Sequence, residues 1–119
     1  MIRFRRHVLN VAVLAGGLVA SMSYSTAFAD TLEEGKAIAF DRAQGNCLAC
    51  HTIVGGEAPG TIGPPLVAMQ TRYPDKAKLR AQIWDATVAN PDTVMPPFGR
   101  SEILTEAEID KVVEFIWSL

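Results

Sequence analysis

At 119 residues, 49% hydrophobic and 20% charged, with a formal charge of −2, the chain has room for one small domain. Its basic residues are scattered rather than gathered into a stripe, which excludes a nucleic-acid footprint. The part beyond the leader holds no internal repeat, linker or low-complexity tract.

The first segment reads as a secretory signal peptide. Arg3, Arg5 and Arg6 form a basic n-region, Val11 to Ala20 is uncharged and mostly apolar, and Ala27-Phe28-Ala29 supplies a small-x-small cleavage site. The apolar run falls short of the roughly 20 residues that a bilayer span needs, so no stable membrane anchor is expected; a retained anchor is the alternative. The division is a signal peptide over 1–29 and one domain over 30–119, exported to the periplasm. Without the leader arginines the formal charge falls from −2 to −5. His51 is then the only histidine, Cys47 and Cys50 the only cysteines, and Met69 and Met95 the only methionines.

A domain this small buries only about 60% of its unfolded surface. Small exported domains are usually held by disulfides, a metal or a cofactor. One Cys-x-x-Cys disulfide closes too short a loop to restrain much of the unfolded chain. A large apolar cofactor would do more.

In chain order, Thr31-Leu32-Glu33-Glu34 reads as a capping box, with Thr31 as N-cap and Glu34 closing it. It starts a predicted helix over Leu32 to Gln44, stopped by Gly45. Next comes Cys47-Leu48-Ala49-Cys50-His51. Structural zinc wants four ligands, usually in two separated pairs, and there is no second pair. A thioredoxin-like thiol pair belongs in a βαβ pattern, and no strand periodicity surrounds this one. Covalent haem uses every residue: two thiols form thioethers with one porphyrin, and the next imidazole ligates the iron.

His51 should donate its other ring N–H to a carbonyl, as ligating imidazoles generally do. Gly63-Pro64 can make the turn that presents one. For the sixth position the count leaves methionine, with lysine or tyrosine as rarer choices. Met69, three residues after Leu66 in "GPPLVAMQTRY", reads as the core side of a short helix. Met95, in "NPDTVMPPFGR", is bracketed by Pro91, Pro96 and Pro97, which would hold a thioether still. Met95 is preferred. A His/Met pair leaves no vacant position for a substrate and suits electron transfer.

Between these methionines, Asp75 to Ala89 places Leu79, Ile83 and Trp84 at helical spacing, with Asn90-Pro91 as the stop. Thr105 and Glu108 form a second capping box before a C-terminal helix with Ile109, Val112, Val113, Ile116 and Trp117 on its inner face. Phe40 and Phe115 read as contacts between the terminal helices. Arg100, Trp84 and Tyr73 are candidates to reach haem propionates, with surface exposure or packing as the plainer alternatives. Glu33, Glu34, Glu106 and Glu108 sit at helix starts, where the dipole favours acids. Three main helices, irregular loops and no strands make an all-α fold.

Taken together, "GNCLACH", "GPPL", "LRAQIWDAT", "NPDTVMPPFG" and "ILTEAEIDKVVEFIWSL" resemble class I cytochrome c. More narrowly they resemble the SoxX family, the small cytochrome subunits of the SoxAX complexes of periplasmic sulfur oxidation. The haem motif and the Met loop are generic to class I; the "LRAQIWDAT…NP…MPPFG" combination points to SoxX. The resemblance implies a class I cytochrome c fold around one covalently attached haem c. Cys47 and Cys50 would attach it, and His51 and Met95 would be its axial ligands. It further implies a heterodimer with a SoxA-like cytochrome subunit, with the SoxYZ carrier and a soluble cytochrome c as transient partners. Such complexes join thiosulfate oxidatively to a carrier cysteine, as an L-cysteine S-thiosulfotransferase, at a haem of SoxA. No catalytic residue is then expected here, and the absence of a spare thiol or second histidine agrees. The competing readings are a freestanding class I electron carrier and a haem-free thiol or metal module.

Overall fold

The computed structural model describes residues 20–119, in which four α-helices and two short 3₁₀ turns occur and no strand. The basic n-region and most of the apolar stretch of the expected signal peptide lie outside these residues. Helix α1 spans Ala20–Phe40, α2 Met69–Arg72, α3 Lys76–Trp84 and α4 Glu106–Trp117.

Helix α4 begins as the sequence predicts. Thr105 Oγ1 accepts from the Glu108 N–H at 3.3 Å, while the Glu108 carboxylate accepts from the Thr105 N–H at 2.8 Å. This reciprocal cap satisfies two amides that the first helical turn leaves without partners. The Thr105 backbone and hydroxyl donors hold the Glu108 carboxyl below its ordinary value.

Helix α1 departs from its prediction at both ends. Thr31 is no N-cap: the helix runs through it from Ala20, and its hydroxyl donates back to the Ala27 carbonyl at 2.9 Å. With helical residues continuing upstream, an interior threonine bonds one turn back instead of capping. The helix stops at Phe40, four residues before Gln44. There Asp41 Oδ1 accepts from the Ala43 N–H at 2.8 Å, and Asp41 O accepts from Asn46 N at 2.9 Å. Such an Asx turn competes with helical bonding and bends the chain away.

Helices α1 and α4 cross at Gly35. A Cβ there would collide with the Lys111 carbonyl and crowd Phe115, so hydrogen is the only side chain that this approach admits. Phe40 and Phe115 meet edge to face, centroids 5.8 Å apart at 81°, a geometry worth about 0.5–1.5 kcal/mol beyond the area it buries. Around the crossing Ile38, Ala39, Ile109, Val112, Val113 and Ile116 are buried together.

Helix α3 is shorter than the predicted 75–89. Asp75 caps it by accepting from the Ala77 N–H at 2.9 Å, and it ends at Asp85, whose backbone is extended at φ −154°, ψ 91°. Asp85 Oδ1 then accepts from the Thr87 N–H at 3.0 Å and opens a 3₁₀ turn over Ala86–Val88. An aspartate that can cap its own next turn breaks a helix its neighbours would continue. Leu79 and Ile83 are buried. Outside them Lys76 pairs with Glu114 at 2.8 Å, and Arg80 with Asp110 at 2.6 Å, across to α4. Partly exposed pairs of this kind contribute little.

Gly35→Ala tests the crossing. Alanine is the better helix former by roughly 0.5–1 kcal/mol, so any loss must come from the contact with α4. The expected net loss is about 1–3 kcal/mol, read as a lower denaturant midpoint with unchanged slope.

Candidate functional site

The Cys-x-x-Cys-His segment is a single helical turn. Asn46, at φ 47° in the left-handed region that asparagine tolerates, feeds a 3₁₀ turn over Cys47–Ala49. Cys47 O accepts from Cys50 N at 3.2 Å and from His51 N at 2.9 Å. Positions i, i+3 and i+4 of such a turn share a face. That is why the two thiols and the imidazole all line one cavity. The two cysteines form no disulfide, and both are half-buried. Before any bond to a cofactor, burial pushes the Cys47 thiol up to about 11, with the neighbouring Cys50 adding in the same direction.

A strap over residues 60–66 lies against this turn. Leu48, Cys50 and Thr52 carbonyls accept in sequence from Gly60, Gly63 and Leu66 amides at 2.7, 2.8 and 2.9 Å. The strap's function is visible at Pro64, whose carbonyl accepts from His51 Nδ1 at 2.7 Å. That bond puts the proton on Nδ1 and leaves Nε2 as a lone-pair donor. The expected carbonyl is therefore there, supplied by Pro64 itself. Gly63 is required beside it: a Cβ would overlap the His51 ring.

Met95 comes from a loop tied to the end of α3. Trp84 O accepts from Gly99 N at 3.1 Å and Arg100 N at 3.3 Å, and the Met95 N–H donates to Thr93 Oγ1 at 3.2 Å. Arg100 pairs with Asp85 at 3.1 Å. The Asp85 carboxyl is held below its ordinary value, first by the Thr87 hydroxyl and further by the Thr87 N–H and Arg100.

The cavity between these parts measures about 480 Å³, within the roughly 300–1,000 Å³ usual for cofactor-sized ligands. Cys47, Cys50, His51, Met69 and Met95 all line it. Leu66, Leu79, Ile83, Phe98, Leu104 and Val112 make its apolar walls. Met69 is 2% exposed on the first turn of α2, the core position expected for it, while Met95 is half-buried. Of the three propionate candidates only Tyr73 reaches the wall. Arg100 is diverted by the Asp85 carboxylate, and Trp84 packs against Gly99 and under Arg80, 5.5 Å from its ring centroid. Arg42 and Arg72 line the cavity and the sequence reading passed over both. The one signal that could have found Arg72 is its place three residues after Met69 on one helical face.

This is a donor set of two thiols, one oriented imidazole and two thioethers facing an apolar chamber. A family model for cytochrome c matches residues 32–119. The chain belongs to the cytochrome c family. A comparison with curated proteins returns no match. Membership makes this a haem electron-transfer protein with covalently bound haem c, and the all-α architecture is that of class I cytochromes c. The residues fit the group: soft sulfur and imidazole donors suit haem iron, and the apolar walls suit a macrocycle. Among the described residues no helix is long and apolar enough to cross a membrane.

Two outcomes follow from this geometry. Gly63→Ala should displace the His51 ring and cost about 1–3 kcal/mol by overpacking, measured by thermal unfolding of the holoprotein. Asp85 contributes stability that is complete above its unfolded pKa of about 3.9 and is lost as pH falls through its lower folded value. The stability gap between the native chain and Asp85→Asn should accordingly be constant near neutrality and shrink below about pH 4 in denaturant titrations.

Proposed function

We propose that this cytochrome is the small electron-transfer subunit of a SoxAX-type complex of the periplasm, serving thiosulfate oxidation beside a SoxA-like cytochrome. Its export would use the signal peptide at 1–29. Cys47 and Cys50 would hold haem c through thioethers, and His51 and Met95 would offer its iron an imidazole and a thioether. The haem supplies a one-electron couple; the chain's residues orient it, cover it and exclude other chemistry.

The observation that carries this reading is the joining of "LRAQIWDAT" to "MPPFG". Trp84 and Asp85 of the first segment hold Gly99, the last residue of the second, and Arg100 directly after it, by two backbone bonds and an ion pair. The two segments whose combination suggests SoxX therefore meet in one structural unit, the carrier of Met95, which supports the reading. His51 fixed through Nδ1 and a loop-borne thioether support closed His/Met ligation, which raises the reduction potential and offers no substrate position. The thiosulfate-conjugating chemistry falls to the partner, with SoxYZ as carrier and a soluble cytochrome c as acceptor.

Co-expression with a SoxA-like subunit and haem-maturation machinery tests the assignment. The expected result is a stable heterodimer containing this chain. A lone monomer that transfers electrons but binds no such subunit would establish the freestanding carrier instead. Intact mass should show one tetrapyrrole added to the exported chain, and Cys47→Ala/Cys50→Ala should abolish it. Met95→Ala should lower the midpoint potential and let exogenous imidazole bind.

A further inference from the structure

Both methionines line the cavity, so the donor set alone leaves two thioethers for one position. What separates them is Arg72. Its Nη1 donates to the Pro65 carbonyl at 2.8 Å and, 3.4 Å away, to Met69 Sδ. Pro65 directly follows Pro64, whose carbonyl holds His51 Nδ1. Neither proline has an N–H to anchor itself, so side chains grip these two consecutive carbonyls, one each. A thioether sulfur is a weak acceptor, and a charged donor strengthens the bond it makes. Met69 Sδ thus has its electron density drawn toward a guanidinium, with a positive charge beside it that opposes coordination to a cationic metal.

We propose that Arg72 is a positioning residue that selects the axial ligand: by donating to Pro65 O and Met69 Sδ together, it locks the strap over His51 and withholds the Met69 thioether, leaving Met95 to the iron. The inference rests on the Met95 assignment above and adds to it the device that excludes the alternative. Arg72 is exposed at the end of α2, so replacing its side chain removes no buried apolar group.

The test is NMR of the ferrous holoprotein, which reports an axial methionine through its ring-current-shifted methyl signal, together with the midpoint potential. The native protein and Met69→Leu should each give one such signal at one potential. Arg72→Ala should give two, with a second midpoint, and Arg72→Ala/Met69→Leu should return to one. If Arg72→Ala yields no holoprotein, Arg72→Gln, which keeps an amide donor but no charge, is read the same way. A single unchanged signal and potential in the Arg72 variant overturns the inference. So does a second signal that survives Met69→Leu. Loss of the native signal in Met69→Leu alone would instead overturn the Met95 assignment, while co-purification with a SoxA-like subunit tests the functional proposal separately.

Discussion

The hydrogen bond from His51 Nδ1 to the Pro64 carbonyl, 2.7 Å long, is the constraint from which the rest of the site is built. An imidazole can bind metal through either nitrogen, and this bond decides which. It requires Pro64 to be held still, which the three amides of the strap accomplish by donating to the motif turn. It also requires the backbone to pass so close to the ring that Gly63 can carry no side chain. Placement of the two thiols follows from the same turn, because a residue at i+4 cannot face the cavity without its neighbours at i and i+3.

The opposite requirement, a thioether presented without slack, is met by different means. The Met95 loop contains no helix. Its stiffness comes from Pro91, Pro96 and Pro97 within the loop and from Trp84 and Asp85 at the end of α3. The break that Asp85 makes in α3 is thus more than a helix terminus. It frees the aspartate to face Arg100 and so to tie down the residues that follow Met95. Local propensity and tertiary demand meet in one carboxylate.

The framework around the site is a pair of crossed helices that depends on a missing side chain. Gly35 lets α1 approach the backbone of α4, and the Phe40–Phe115 contact joins the same two helices. A domain of this size buries too little surface to be secure by itself. Haem c held against the apolar walls of the cavity would add buried apolar surface to so small a core, so cofactor binding and folding are linked.

The chain by itself determined what depends on local chemistry. The Cys47-x-x-Cys50-His51 turn, the Thr105–Glu108 cap, the apolar face of α4, the partner carbonyl at Gly63-Pro64 and the burial of Met69 were all legible, because spacing of a few residues dictates each of them. What stayed illegible depends on which partner each polar side chain finds once the chain is folded. Thr31 caps only if nothing helical precedes it. Asp85 ends α3 because its carboxylate has Thr87 and Arg100 to bind, which diverts Arg100 from the cavity, and Gly99 lies so close to the Trp84 ring that a Cβ there would overlap it. Arg72, ordinary in sequence, gains meaning only when α2 brings its guanidinium onto Pro65 and Met69. Sequence fixes which donors exist; the fold decides which of them are already engaged, because a side chain's hydrogen-bond partner is chosen by proximity in space and not along the chain.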